Sequence, residues 1–97
     1  MAVAYVYILA SRAGGTLHVG STTDLARRVL DHRTTAVPGF ASGEVARLVW
    51  FETCDYLEQA LLREKLLNGW NRAWTVQLIE AQNPEWNDLY PGIATGP

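Results

Sequence analysis

Apolar and polar positions along the chain fall into short blocks of two kinds. Tyr5-Val6-Tyr7-Ile8-Leu9 is aromatic and β-branched without polar alternation, which predicts a strand covered on both faces. Ser11-Arg12-Ala13-Gly14-Gly15 supplies turn residues, and Thr16-Leu17-His18-Val19-Gly20 reads as a second strand, so the pair predicts a β-hairpin. Ser21-Thr22-Thr23-Asp24 carries N-cap chemistry ahead of a helix from about Asp24 to Arg33, with Leu25 and Val29 as its apolar stripe. The stretch Thr34 to Gly43, with Pro38 and Gly39, predicts a loop, and Val45 to Glu52 a third strand. Tyr56 to Asn68 reads as a second helix, with Gly69 where a C′ residue belongs. Asn71 can cap a third helix to about Ala81. Asn83-Pro84 restarts one short turn, and a frayed Gly/Pro tail is expected from Pro91.

The order β-β-α-β-α-α predicts an α/β (α+β) fold, a three-stranded antiparallel sheet flanked by helices. The order of strands within the sheet does not follow from the pattern. Ninety-seven residues fit one domain, expected over 1–90, with 91–97 as the tail. A hydrophobic fraction of 48% beside 19% charged residues is that of a globular chain, and four Trp and four Tyr help a small core bury enough surface. One cysteine, Cys54, excludes an intramolecular disulfide and a zinc site built on several thiolates. The N-terminal run MAVAYVYILA lacks a basic leader and is too short to span a bilayer. A cytoplasmic protein without membrane association is the expectation.

Candidate chemistry lies on two helices. In the second, Leu57, Ala60, Leu61 and Leu67 make an apolar stripe with Glu64 near its centre. A carboxylate there pairs with a nearby arginine, or the stripe opens to solvent at that turn, or it binds a metal or acts as an acid on a cleft floor. In the first helix Arg28 and His32 stand one turn apart, while Tyr7 and His18 add polar tips on the adjoining strands. A proton acceptor, a cation for phosphorane charge and a metal-holding carboxylate are what a metal-assisted hydrolase requires.

At these residues the chain resembles the GIY-YIG nuclease superfamily, in particular its short single-domain bacterial branch. The resemblance rests on Tyr5-Val6-Tyr7, Leu17-His18-Val19-Gly20-Ser21-Thr22, Asp24-Leu25-Ala26-Arg27-Arg28-Val29 with His32, Arg63-Glu64-Lys65-Leu66, and Asn83-Pro84-Glu85-Trp86, and covers roughly residues 4–90. It implies a sheet with the first strand central and a metal-dependent endonuclease acting on nucleic acid, with DNA the expected substrate, in a setting such as DNA repair. By the same resemblance Tyr7 is the general base or water-positioning group and Arg28 stabilises the transition state. His32 assists phosphate or proton transfer, and Glu64 alone of the protein's carboxylates holds Mg²⁺ or Mn²⁺, with no organic cofactor. His18 stands where the family carries a tyrosine, and it either fills that role, changes its pH dependence or marks a weakened enzyme. The rival expectation is therefore a catalytically weakened binding module. The net charge of −2 and a pI near 5.5 leave DNA contact to a local patch, for which Arg12, Arg27 and Arg33 are the candidates beside Arg28. Trp70 and Trp74 suit core or interface packing better than base stacking.

Overall fold

The computed structural model describes residues 3–34, 37, 40 and 46–94. Its elements are β1 (Ala4–Ala10), β2 (Leu17–Thr22), α1 (Leu25–Thr34), β3 (Arg47–Cys54), α2 (Leu57–Asn68), α3 (Arg72–Gln82) and α4 (Tyr90–Ala94). The strands form one antiparallel sheet in the order β2-β1-β3. β1 is central, and every residue in it except Tyr5 is buried, as its unalternated apolar run requires.

The two faces of the sheet carry separate cores. Ala4, Val6 and Ile8 pack with Ala60 and Leu67 of α2, Ile79 of α3 and Trp86. Tyr7 and Leu9, one residue out of phase, pack with Leu25 and Val29 of α1, with Leu48, and with Leu89, Tyr90 and Ile93 near α4. The β1–β3 register shifts between Ile8 and Leu9, so Ile8 faces Trp50 and Leu9 faces Leu48. Such a bulge bends the strand locally.

α1 starts as the local chemistry predicts. Asp24 Oδ1 accepts from the Arg27 amide at 3.2 Å, and Thr22 Oγ1 accepts from the Asp24 amide at 3.0 Å. Asn71 caps α3 by accepting from the Trp74 amide at 2.9 Å.

Four expectations change. β3 runs to Cys54, two residues past its expected end; its expected first residue, Val45, and the loop residues Pro38, Gly39 and Gly43 lie outside the described residues. Gly69 ends α2 with φ −86°, in the right-handed region, so the left-handed conformation expected of a C′ glycine is not used. The stripe expected on α2 is only half right. Ala60 and Leu67 are buried, but Leu57 and Leu61 are exposed and Glu64 is half-buried on the flank. Finally, Tyr90–Ala94 forms α4 where a tail was expected from Pro91, while 95–97 lie outside the described residues. A five-residue helix has little intrinsic stability; this one is held by Tyr90 and Ile93 packing on the second core.

The segment before α4 is fastened to β3. Buried Asn83 donates to the carbonyl oxygens of Val49 (3.0 Å) and Asn87 (2.9 Å) and accepts from the Asn87 amide (3.0 Å). The Leu89 amide donates to the Leu48 carbonyl at 2.7 Å, and the Leu48 amide donates to Asp88 Oδ1 at 3.0 Å. Asp88 also pairs with Arg33 at the end of α1, and the Arg33 guanidinium lies 4.5 Å from the centre of the Tyr90 ring.

Candidate active site

Five side chains from four elements converge beside the outer strand β2. Tyr7 of β1 lies directly opposite Gly20 of β2 in the ladder. A Cβ added at Gly20 would come within 2.4 Å of the Tyr7 hydroxyl and 2.5 Å of its Cζ. The glycine is thus what allows the phenol to lie across β2, a close-approach role that the turn-and-strand pattern does not reveal.

The rings of Tyr7, His18 and His32 form a triangle, with centroids 6.3 Å apart for Tyr7–His18, 6.2 Å for Tyr7–His32 and 5.2 Å for His18–His32. The Tyr7 hydroxyl lies 3.3 Å from His32 Nε2, so a His32 tautomer with Nε2 unprotonated accepts the phenolic proton. Tyr7 is only 1% exposed. Burial raises its pKa above the usual 10.0, with Arg28 opposing and Glu64 adding to the shift, so the phenol stays protonated at neutral pH.

Arg28 is exposed on α1, one turn before His32, and its charge reaches Tyr7, His18 and His32 alike. Glu64 enters from α2 on the far side of the sheet and is felt by Tyr7 and His18. Its Oε1 accepts from Ser21 Oγ, which fixes the carboxylate. Ser21 is a positioning residue that sequence reading treats only as capping chemistry. Its neighbour Thr22 makes the capping contact, and the bond to Glu64 spans distant positions that no local pattern connects. Glu64 makes no ion pair among the described residues; the arginine beside it, Arg63, pairs with Glu52 at 3.3 Å. The closed arginine pair is thereby removed, and the exposure of Leu57 and Leu61 shows that the stripe opens to solvent here.

The other basic candidates separate. Arg12 is exposed in the β1–β2 turn, and Arg27 is exposed on α1, 3.3 Å from Asp31. Arg33 is half-buried and committed to Asp88 and Tyr90, which gives its charge a structural partner and takes it away from the expected DNA patch. A groove of about 630 Å³ runs between Thr16 and Leu17–Val19 at the start of β2 and Leu67, Asn68 and Arg72 of α2 and α3, reaching the site at His18. Trp70 and Trp74 pack edge to face, with centroids 6.0 Å apart.

Both histidines are pushed below 6.5, each chiefly by burial. Glu64 opposes the shift at His18 and Arg28 adds to it; at His32 the further lowering comes from His18 and then Arg28, against Asp31. Both imidazoles are therefore neutral at pH 7. The unfolded chain takes up these protons first, so stability present above pH 6.5 is lost as pH falls through the folded pKa values. Any cleavage rate should keep its plateau at neutral pH and fall on an acidic limb below 6.5. His18→Tyr removes one ionisation from that limb while retaining or raising the rate, and His18→Ala is slower than either. Equal profiles for all three proteins in a pH–rate series would make His18 a bystander.

The comparisons fit this geometry. Residues 3–77 match the GIY-YIG catalytic domain. The chain is 31% identical over 88 residues to the UPF0213 protein DP2720 of Desulfotalea psychrophila, covering 89% of this chain and 79% of that protein. Its fold is similar to the solution NMR structure of the UPF0213 protein BH0048 from Bacillus halodurans, at 26% identity and a TM-score of 0.56, covering 88% of this chain and 90% of that one. No helix among the described residues is long and apolar enough to cross a membrane.

Proposed function

The chain belongs to the GIY-YIG family of nuclease-type domains, and from that premise we propose that it hydrolyses DNA phosphodiester bonds with a divalent cation, Mg²⁺ or Mn²⁺, at Glu64. The observation that carries this reading is the convergence of Tyr7, His18, Arg28 and Glu64 within one electrostatic neighbourhood, completed by the Tyr7–His32 contact.

The donor set suits the cation. Among the described residues no three His, Cys, Asp or Glu side chains gather into a cage, so the ion would be held by Glu64, water and substrate oxygens. Mg²⁺, which keeps several waters and takes one or two carboxylates, is commonly bound in this way. When bound it supplies Lewis-acid stabilisation of phosphate charge. The chain's own groups do the rest. Ser21 holds the carboxylate in one orientation. Tyr7, kept neutral by burial, can take a proton from the attacking water only as it hands its own to His32 Nε2. Arg28 offers its guanidinium to the oxygens on which charge develops. His18, neutral and polar, orients the same phosphate or its water.

Cleavage assays on duplex, branched and single-stranded DNA and on RNA, with Mg²⁺, Mn²⁺ or EDTA, test the reading. Metal-dependent cleavage of DNA is expected. Binding without cleavage under every condition would sink it and leave the weakened binding module. Affinity should be modest. With Arg33 committed to Asp88 and Arg27 shared with Asp31, at most three of the four candidate arginines meet phosphates, so log K should fall against log salt no more steeply than a slope of about −2.7. Tight binding with a slope near zero would contradict this use of Arg12, Arg27 and Arg28.

A further inference from the structure

α2 contains five leucines, and only Leu67 is buried. Leu57, Leu61, Leu62 and Leu66 are 41, 52, 69 and 52% exposed. The ridge continues at one end into exposed Trp74, where Lys65, Leu66, Gly69, Trp70 and Trp74 line an apolar cavity of about 490 Å³. Single exposed leucines are ordinary, but four on one face of one helix in so small a protein mark a surface that is covered.

The arrangement of the ridge indicates by what. Along α2, Leu57 mirrors Leu66, Leu61 mirrors Leu62 and Glu58 mirrors Lys65 about the midpoint between Leu61 and Leu62. At about 100° per residue the four leucines span half the helix circumference, with Glu58 and Lys65 on the midline of that half. Neither charge makes an ion pair among the described residues. A face with this symmetry is complementary to itself under a two-fold axis, the isologous arrangement of most homodimers. With the axis through the midpoint, two α2 helices run antiparallel. Leu61 and Leu62 of each copy meet near the axis, and Glu58 of one copy stands opposite Lys65 of the other at both ends. Leu57 of the second copy comes level with Leu66, beside the Trp70–Trp74 cavity. We propose that this face of α2 is a two-fold interface joining two copies of the chain. Glu64 lies about 110° around the helix from the midline, at the margin of the proposed interface and off its centre.

One short helix pair lies at the small end of specific interfaces, so half-association is expected at tens to hundreds of micromolar. Sedimentation equilibrium from micromolar to millimolar protein tests the proposal. Wild type should pass from monomer to dimer. Leu62→Glu, at the most exposed leucine of the ridge, should stay monomeric with an unchanged circular-dichroism melt. Glu58→Lys and Lys65→Glu should each weaken association about tenfold or more by setting like charges opposite each other, and the double exchange should restore it. A wild type still monomeric at millimolar concentration would overturn the proposal. So would association that survives Leu62→Glu, or a double exchange no tighter than the single variants.

Discussion

Replacing Glu64 with alanine is expected to bring cleavage to background while leaving the metal-free fold nearly as stable as before. The carboxylate is half-buried at the edge of α2, accepts from Ser21 Oγ and has no cationic partner among the described residues. Its loss forfeits one partly exposed hydrogen bond to a carboxylate, about 1.5 kcal/mol at the low end for a charged acceptor, against a gain of roughly a few tenths of a kcal/mol from the better helix former. The net change should stay within about 1 kcal/mol. Divalent metal should raise the melting temperature of wild type by mass action and leave that of the variant unmoved. Had Glu64 been the buried partner of an arginine, its removal would strand a charge and cost about 3–5 kcal/mol. Thermal melts with and without Mg²⁺, set beside one cleavage assay, distinguish these patterns. A large loss of stability with cleavage intact would refute the metal-ligand role.

Arg28→Ala should lower kcat by about 10²–10³, or 2.7–4 kcal/mol, the scale of one preorganised contact to developing charge. Arg27 points about 100° away and its charge is shared with Asp31, so Arg27→Ala should reduce affinity slightly and leave kcat alone. An independent readout comes from the imidazoles. Arg28 lowers the pKa of both His18 and His32, so its removal should move both titrations upward when followed by NMR. Equal losses of kcat in the two variants, or histidine titrations that do not move, would refute the assignment.

What could be read in the chain follows from how local each determinant is. The hairpin, α1 and the cap of α3 depend on residues within a few positions of one another, and they stand where the pattern puts them. α2 was legible as a helix but not in its facing, because five leucines in twelve residues offer more than one apolar stripe. The sheet selects Ala60 and Leu67, a choice set by a surface elsewhere in the fold. α4 was missed because tertiary packing overrides a Pro- and Gly-containing stretch. Within the site, the identities of Tyr7, Arg28, His32 and Glu64 came from motif order. Gly20 and Ser21 act through clearance and contact across elements, which spacing cannot express.

The fastening of residues 83–90 has a consequence for synthesis. It lies beyond the stretch that matches the family domain, residues 3–77. Yet it ties the end of α1 to β3 through Asp88, and α1 carries Arg28 and His32. A nascent chain that has emerged only to Gln82 already contains all five site residues, but the tie to α1 has not been made. Because chains emerge N-terminus first, these five residues exist for a time before the tie that fastens α1 to β3. The tie through Asp88 is thus a tertiary requirement that the stretch matching the family domain does not supply by itself.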